Sequence, residues 1–284
     1  MGIDSSLGEI VLVTGASSGI GRHAALALSR RGYRVIAAVR NEADIRDLRA
    51  EGLLDVLQLD LKVAESVDQA IAKLLTYGTP YALIHNAGFG LYGAVEDLSR
   101  EAIEEQFAAN LFGAHQLNHA LLPRMRGRGS GRIVFVSSVL GVVAMRGRGL
   151  YVASKFAMEG LADTLRLELY GSGLHVSLIE PGPIETRFRA NAHAALMRHV
   201  DVPSSAHREF YRTFIAGLAA PRSANRFVLA DDACLESVLH ALEAARPAAR
   251  YRVTAPAKVF PFLKRILPTA VLDWRSEERR VGKE

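Results

Sequence analysis

Six short runs rich in β-branched residues, each followed by a stretch with helical periodicity, constrain this chain more than any other feature. The runs are IVLVT (10–14), RVIAAV (34–39), LDVLQL (54–59), YALIHN (81–86), RIVFVS (132–137) and HVSLIE (175–180), with YRVT (251–254) a candidate seventh. Several are apolar at successive positions, the pattern of strands covered on both faces. Strands alternating with helices read as parallel βαβ units, so the expected class is α/β, a doubly wound parallel sheet with helices on both faces. The intervening stretches IGRHAALALSRRG (20–32) and SVDQAIAKLLTYG (66–78) are amphipathic and end in glycine, as helices do where the chain turns left-handed.

No linker is visible before about residue 186, and the 284 residues are expected to form one domain. From 186 to about 230 the pattern turns irregular, with His, Arg, Phe and Tyr mixed. A break after the sixth strand reads as a substrate-loop insertion over the C-terminal edge of the sheet, where α/β proteins bind ligands. The stretch 256–274 is apolar, basic and interrupted by prolines, an amphipathic C-terminal extension. It suits a lid or a subunit interface; a membrane-surface helix is a further reading and not the favoured one.

The first strand runs into TGASSGIG (14–21), which then opens a helix. Gly15, Gly19 and Gly21 follow G-x-x-x-G-x-G, a relative of the dinucleotide fingerprint. Glycines at such a junction allow a tight turn and close backbone approach to a pyrophosphate, and the helix N-terminus adds N–H donors and a positive dipole end. The sheet is therefore expected to be of the Rossmann type, with Ser17, Ser18 and Ile20 beside the glycines at the cofactor. The second strand ends in Arg40, with no acid at Ala38 or Val39 to take a ribose diol. A guanidinium matches a phosphate, which favours NADP (NADPH) over NAD. Asp60, after the third strand, is placed either to meet the adenine amino group or to cap the next helix, with Leu61 beside it.

TGASSGIG (14–21), HNAG (85–88), VFVSS (134–138) and YVASK (151–155) occur in this order, joined by Asn110 in NLFG and by EPGPIET (180–186). The ordered set resembles the short-chain dehydrogenase/reductase family, and within it the hydroxysteroid and retinol dehydrogenase-like branch and bacterial NADP-dependent aldehyde reductases. The resemblance implies an oxidoreductase in which Tyr151 is the general acid, Lys155 and the positive nicotinamide of the oxidised cofactor together lower the phenol's pKa, Lys155 also bonds the nicotinamide ribose, and Ser138 polarises the substrate carbonyl. Asn110 would hold a relay water through its side chain or a local helix distortion. It further implies cofactor contacts from Asn86, Ala87 and Gly88, and from Pro181, Gly182, Ile184 and Thr186 over the nicotinamide. His85 stands where many members have asparagine, and a buried structural role is expected of it.

A hydrophobic aldehyde, retinoid or steroid-like substrate is implied, with Phe89, Leu140, Met145 and Phe188 as candidate lining residues; core or interface positions would account for them equally. The other readings are a non-catalytic NADP-sensing module and a membrane-surface lipid-carbonyl reductase. The net charge of +5 is dispersed apart from RMRGRGSGR (124–132) and the nearly balanced RSEERR (275–280), so no nucleic-acid partner is expected. Cys234 is the only cysteine and the nine histidines are scattered, so neither a disulfide nor a metal site is expected. With no signal-peptide pattern or transmembrane run, the default is a cytoplasmic, possibly membrane-peripheral protein. The resemblance suggests a homodimer or homotetramer through helices around 99–126 and 149–171.

Overall fold

The computed structural model describes residues 8–219 and 228–271. Seven strands, β1 (Ile10–Thr14), β2 (Arg34–Val39), β3 (Val56–Gln58), β4 (Ala82–His85), β5 (Gly131–Val136), β6 (Leu174–Glu180) and β7 (Arg250–Arg252), form one sheet in the order β3-β2-β1-β4-β5-β6-β7. Every pairing is parallel. The expected strands are all present. The third is shorter than its sequence run, because Leu54 at its start is 80% exposed and lies outside the ladder.

Successive residues of β1 serve two cores, as the pleat requires. Ile10 and Leu12 pack with residues of α3 (Ala64–Tyr77), α5 (Gly113–Arg128) and α6 (Gly149–Glu168). Val11 and Val13 face the opposite way, onto α1 (Gly19–Arg30), α2 (Glu42–Ala50) and α9 (Leu235–Glu243). Each fully buried Val, Leu or Ile in these layers contributes roughly 1.5–3 kcal/mol, so covering both faces supplies most of the driving force. Chain order along the sheet reverses between β1 and β4, which opens a crevice at their C-terminal ends.

The stretch expected to be irregular holds two helices, α7 (Phe188–His199) and α8 (Arg208–Ala219); residues 220–227 lie outside the described part. The C-terminal extension forms the helix α10 (Ala255–Ile266), which runs through both Pro256 and Pro261. Pro256 sits in the first turn, where no N–H bond is lost, and Thr254 Oγ1 caps the helix by accepting from Ala257 N at 3.2 Å. Leu272, Trp274 and the charged tail RSEERR lie outside the described residues. No described helix is long and apolar enough to cross a membrane.

Candidate active site

The C-terminal ends of β1, β4, β5 and β6 carry the sequence motifs along one edge of the sheet. At β1 the chain turns through Gly15 at φ +66°, where a Cβ would stand 2.7 Å from Ala87 Cα. A side chain at Gly19 (φ +55°) would meet Thr186 at 2.8 Å, and one at Gly21 would meet Asn86 at 2.3 Å. The glycine turn therefore touches both the loop after β4 and the loop after β6. Thr14 locks the first contact: its Oγ1 accepts from Asn86 N at 3.1 Å and Ala87 N at 3.0 Å. Asn86 Nδ2 answers by donating to the carbonyls of Thr14 and Gly15, each at 3.0 Å.

Helix α1 opens with no acidic residue in its first turn, and the Ser18 side chain does not cap it. Its positive end is thus left free for an anion. Ser17 is half-buried beside it and Ile20 packs into the core behind. Arg40 is exposed past the end of β2 and makes no ion pair with a described residue, while its carbonyl accepts from Gln58 Nε2 at 3.1 Å. Asp60 does not cap α3, whose N-cap is Val63; its Oδ1 accepts from Lys62 N at 3.0 Å instead. Leu61 is buried against Gly113. Pro181 O accepts from Val139 N at 2.8 Å, which ties the loop after β6 to the loop after β5. Gly182 packs on Thr254, and Ile184 bridges to Leu229.

Asn110 lies in a π-helical turn, Ala108–Phe112, between α4 (Arg100–Phe107) and α5. Such turns mark sites where one extra residue re-aims a side chain. Its Nδ2 donates to Phe89 O at 3.1 Å and Ser154 Oγ at 3.0 Å, and its Oδ1 accepts from Phe89 N at 3.0 Å. Ser154 Oγ in turn donates to Tyr151 O at 2.8 Å, so Asn110 is fastened to the first turns of α6. Gly88 is the hinge between them, for a Cβ there would lie 2.9 Å from Asn110 Oδ1 and 3.9 Å from Lys155 Nζ.

Tyr151 and Lys155 occupy successive turns of α6, both buried, with the ammonium 6.0 Å from the phenol ring centre. Lys155 Nζ donates to Val136 O at 2.7 Å. Burial pushes Lys155 down to about 8, opposed by the Glu159 carboxylate one turn on. The phenol behaves contrary to the expected lowering. Burial holds Tyr151 above the ordinary tyrosine range, Tyr92 adds to this, and only the Ser138 hydroxyl and the Arg148 charge pull it back. The desolvation cost of a phenolate outweighs the Ser138 hydroxyl and the Arg148 charge. Ser138 is buried at the end of β5, its Oγ also accepting from Leu140 N at 3.1 Å.

Of the candidate lining residues, Phe188 stands 5.3 Å from the Tyr151 ring and Leu140 packs in the same cluster. Phe89 contributes its backbone to Asn110 while its side chain packs beside Leu91 and Leu150. Met145 is exposed, with its sulfur against Arg148. Tyr92, 6.1 Å from Tyr151, and Phe214, 6.0 Å from Tyr92, complete an aromatic wall. His85 is buried, stacked on Phe135 at 4.8 Å, with Nε2 2.8 Å from Asn118 Oδ1; it faces away from this wall and is structural.

Sequence reasoning assigned no task to Thr14, Gln106 or Ser154. Gln106 donates to Phe89 O at 2.8 Å and accepts from Leu91 N at 2.6 Å. It shares the buried face of α4 with Ala102, four residues earlier, and that helical spacing is the signal the sequence carries. Glu159 is a fourth: buried beside Lys155, it joins Asp163 and Glu180 around Arg250, at 3.1, 2.6 and 2.9 Å.

An α/β sheet whose reversal point gathers a glycine turn and a Ser–Tyr–Lys set defines a nucleotide-dependent oxidoreductase class. The family model for short chain dehydrogenase matches residues 9–196, and this chain belongs to that family. It is 44% identical over 265 residues to YbbO of Escherichia coli K12, described as an uncharacterized oxidoreductase, spanning 93% of this chain and 92% of that one. Retinol dehydrogenase 8 of Bos taurus is 41% identical over 187 residues, 63% of this chain and 60% of its own length. A short-chain dehydrogenase structure from Streptomyces avermitilis matches with a TM-score of 0.75 at 27% identity, covering 99% of this chain and all of the other.

Proposed function

We propose that the chain interconverts a hydrophobic carbonyl compound, such as an aldehyde, retinoid or steroid-like ketone, and its alcohol, using NADP(H). The observation that carries this reading is the setting of the Tyr151 phenol: it has Ser138 within hydrogen-bonding reach and the rings of Phe188 and Tyr92 against it. An acid so enclosed suits an apolar carbonyl better than a polyol. The likeness to a protein named retinol dehydrogenase agrees with that substrate class.

The cofactor fits the residues present. Three glycines whose side chains would collide with neighbouring backbone or side-chain atoms, and a helix end free of acid and cap, suit a dinucleotide diphosphate. Arg40 suits a 2′-phosphate. Bound, the reduced nicotinamide supplies the hydride. The chain's own groups do the rest. Ser138 donates to the substrate oxygen and polarises the carbonyl. Tyr151, kept protonated by burial, is in the right state to deliver its proton to that oxygen. Lys155, lowered to about 8, exchanges protons readily near neutrality, and Asn110 steadies the Phe89 backbone beside it.

NADPH oxidation by the full chain over fatty aldehydes, retinal, steroid ketones and quinones tests the reading. Tyr151→Phe is expected to lower kcat by about 10²–10⁴-fold, the usual span of general acid catalysis. Arg40→Asp is expected to turn the preference from NADPH toward NADH. A silent panel beside intact NADPH binding sinks the proposal. We also propose a homodimer or homotetramer, supported by the exposure of Phe112, Leu167 and Tyr170 on the π turn and at the end of α6; a monomer mass by light scattering at micromolar concentration would rule this out.

A further inference from the structure

The approach to Tyr151 is apolar on one side and cationic on the other. Arg148 is the residue before α6, three before Tyr151, and is partly buried. Its guanidinium lies 5.0 Å over the Tyr92 ring and 5.5 Å from Phe214. Arg146, exposed, lies 4.8 Å over Phe210. The residue between them, Gly147, has φ +72° and no room for a Cβ, which would stand 2.5 Å from Phe210. Gly93 N donates to Gly147 O at 2.9 Å, and Gly93 bridges to Arg148. The backbone that presents the two guanidiniums is therefore fixed from both sides.

Among the described residues, no carboxylate pairs with either arginine. The acids of the adjoining 94–98 loop are committed elsewhere. Asp97 accepts from Tyr211 at 2.7 Å and from Ser205 at 2.8 Å, and Glu96 bonds His207. Among the described residues, Arg148 spends an in-plane donor only on the Met145 sulfur, a weak acceptor, while two rings cover its faces, which is the geometry that receives a carboxylate. Desolvating such a charge against a wholly apolar substrate would cost free energy that an anionic group on the substrate recovers.

We propose that Arg148, with Arg146 outside it, binds an anionic end group of the substrate, so that the preferred substrates are amphiphiles with an apolar body, a reducible carbonyl and a terminal carboxylate, the class of ω-oxo fatty acids. This rests on the reductase reading above for the chemistry and not for the binding. In the reaction, Tyr151 would give a proton to the carbonyl oxygen, and a bound reduced nicotinamide would supply the hydride for the carbonyl carbon, so that the aldehyde becomes an alcohol as the cofactor is oxidised. The carboxylate takes no part in bond changes and serves as an anchor.

The test compares an ω-oxo fatty acid with its methyl ester, identical but for the charge, in NADPH-dependent turnover. In parallel, calorimetry measures dodecanoate and methyl dodecanoate binding to the full chain without turnover. The acid is expected to have the higher kcat/KM, and added salt to narrow the gap. Arg148→Gln should collapse the acid-to-ester ratio about tenfold, the order expected for one charge-assisted hydrogen bond, while Arg148→Lys should keep most of it. Dodecanoate binding should weaken with the same ranking. A wild-type enzyme that handles ester as well as acid overturns the proposal without any variant, as does a ratio unmoved by Arg148→Gln. Dodecanoate binding that depends on Arg148 beside no turnover of any carbonyl would uphold the anion site and sink the reductase reading. Turnover with dodecanoate binding indifferent to Arg148 would do the reverse.

Discussion

His85 is a whole imidazole in the core, 2% exposed, with Asn118 as its one hydrogen-bond partner. Burial lowers its pKa from 6.5 to about 4, and the Asn118 bond offsets only part of that. The unfolded chain therefore binds a proton between these values that the folded chain refuses, and stability falls as pH drops through that window. The displacement from 6.5 to about 4 corresponds to about 3 kcal/mol, fully lost below the folded value. His85→Asn, which retains a polar group toward Asn118, is expected to remove that component. Urea unfolding of both proteins at about pH 7 and about pH 4 measures it, and equal acid sensitivity would refute it. At this scale the family resemblance, with His85 at a position that steadies the strand, pointed to the burial seen here. The sequence did not foretell the direction of the Tyr151 shift, since a helical i, i+4 spacing shows the neighbouring cation and not the depth of burial.

The Tyr211 hydroxyl ties helix α8 to the turn at 94–97 beside the site. Tyr211, fully buried, accepts from Ala94 N and donates to Asp97 Oδ2, both at 2.7 Å, and its own pKa is pushed up to about 12. Tyr211→Phe leaves that donor and acceptor unmatched, at a cost of about 1–3 kcal/mol. Amide exchange in α8 should speed up while β1 and β4 keep their protection; unchanged exchange in α8 would show that the hydroxyl is not what secures it. Helix α7 has a separate fastening through Glu105, which takes Lys62, Arg198 and His199. These contacts explain why the two helices escaped sequence reasoning while the strands did not. The strands announce themselves by local apolar runs, whereas Tyr211 and Asp97 are 114 residues apart and pair only once the sheet edge exists.

Across the whole molecule, β7 is joined to α6 by charge. Arg250 gathers Glu159, Asp163 and Glu180, while Arg252 Nε also reaches Glu180 at 3.0 Å. Burial and the neighbouring Glu180 hold Glu159 above the ordinary carboxylate range in spite of Arg250. Arg250→Met would strand Glu159 while leaving Asp163 to Arg166 and Glu180 to Arg252, a loss of about 3 kcal/mol, the low end for a broken buried pair. With the carboxyl pKa raised further in the folded state, stability should recover as pH falls and worsen as it rises through the folded value. Thermal unfolding across that range reads the sign, and a variant as stable as the parent at neutral pH would mean the cluster is indifferent to Arg250.

The two outermost strands, β3 and β7, have three residues each, against seven in β6. A sheet with so apolar an interior would be a ready template for further chains if its borders were long and flat. Truncated borders offer an incoming strand too few backbone donors and acceptors to hold on. Colloidal endurance in a crowded solution is thus written into the two shortest strands of the fold.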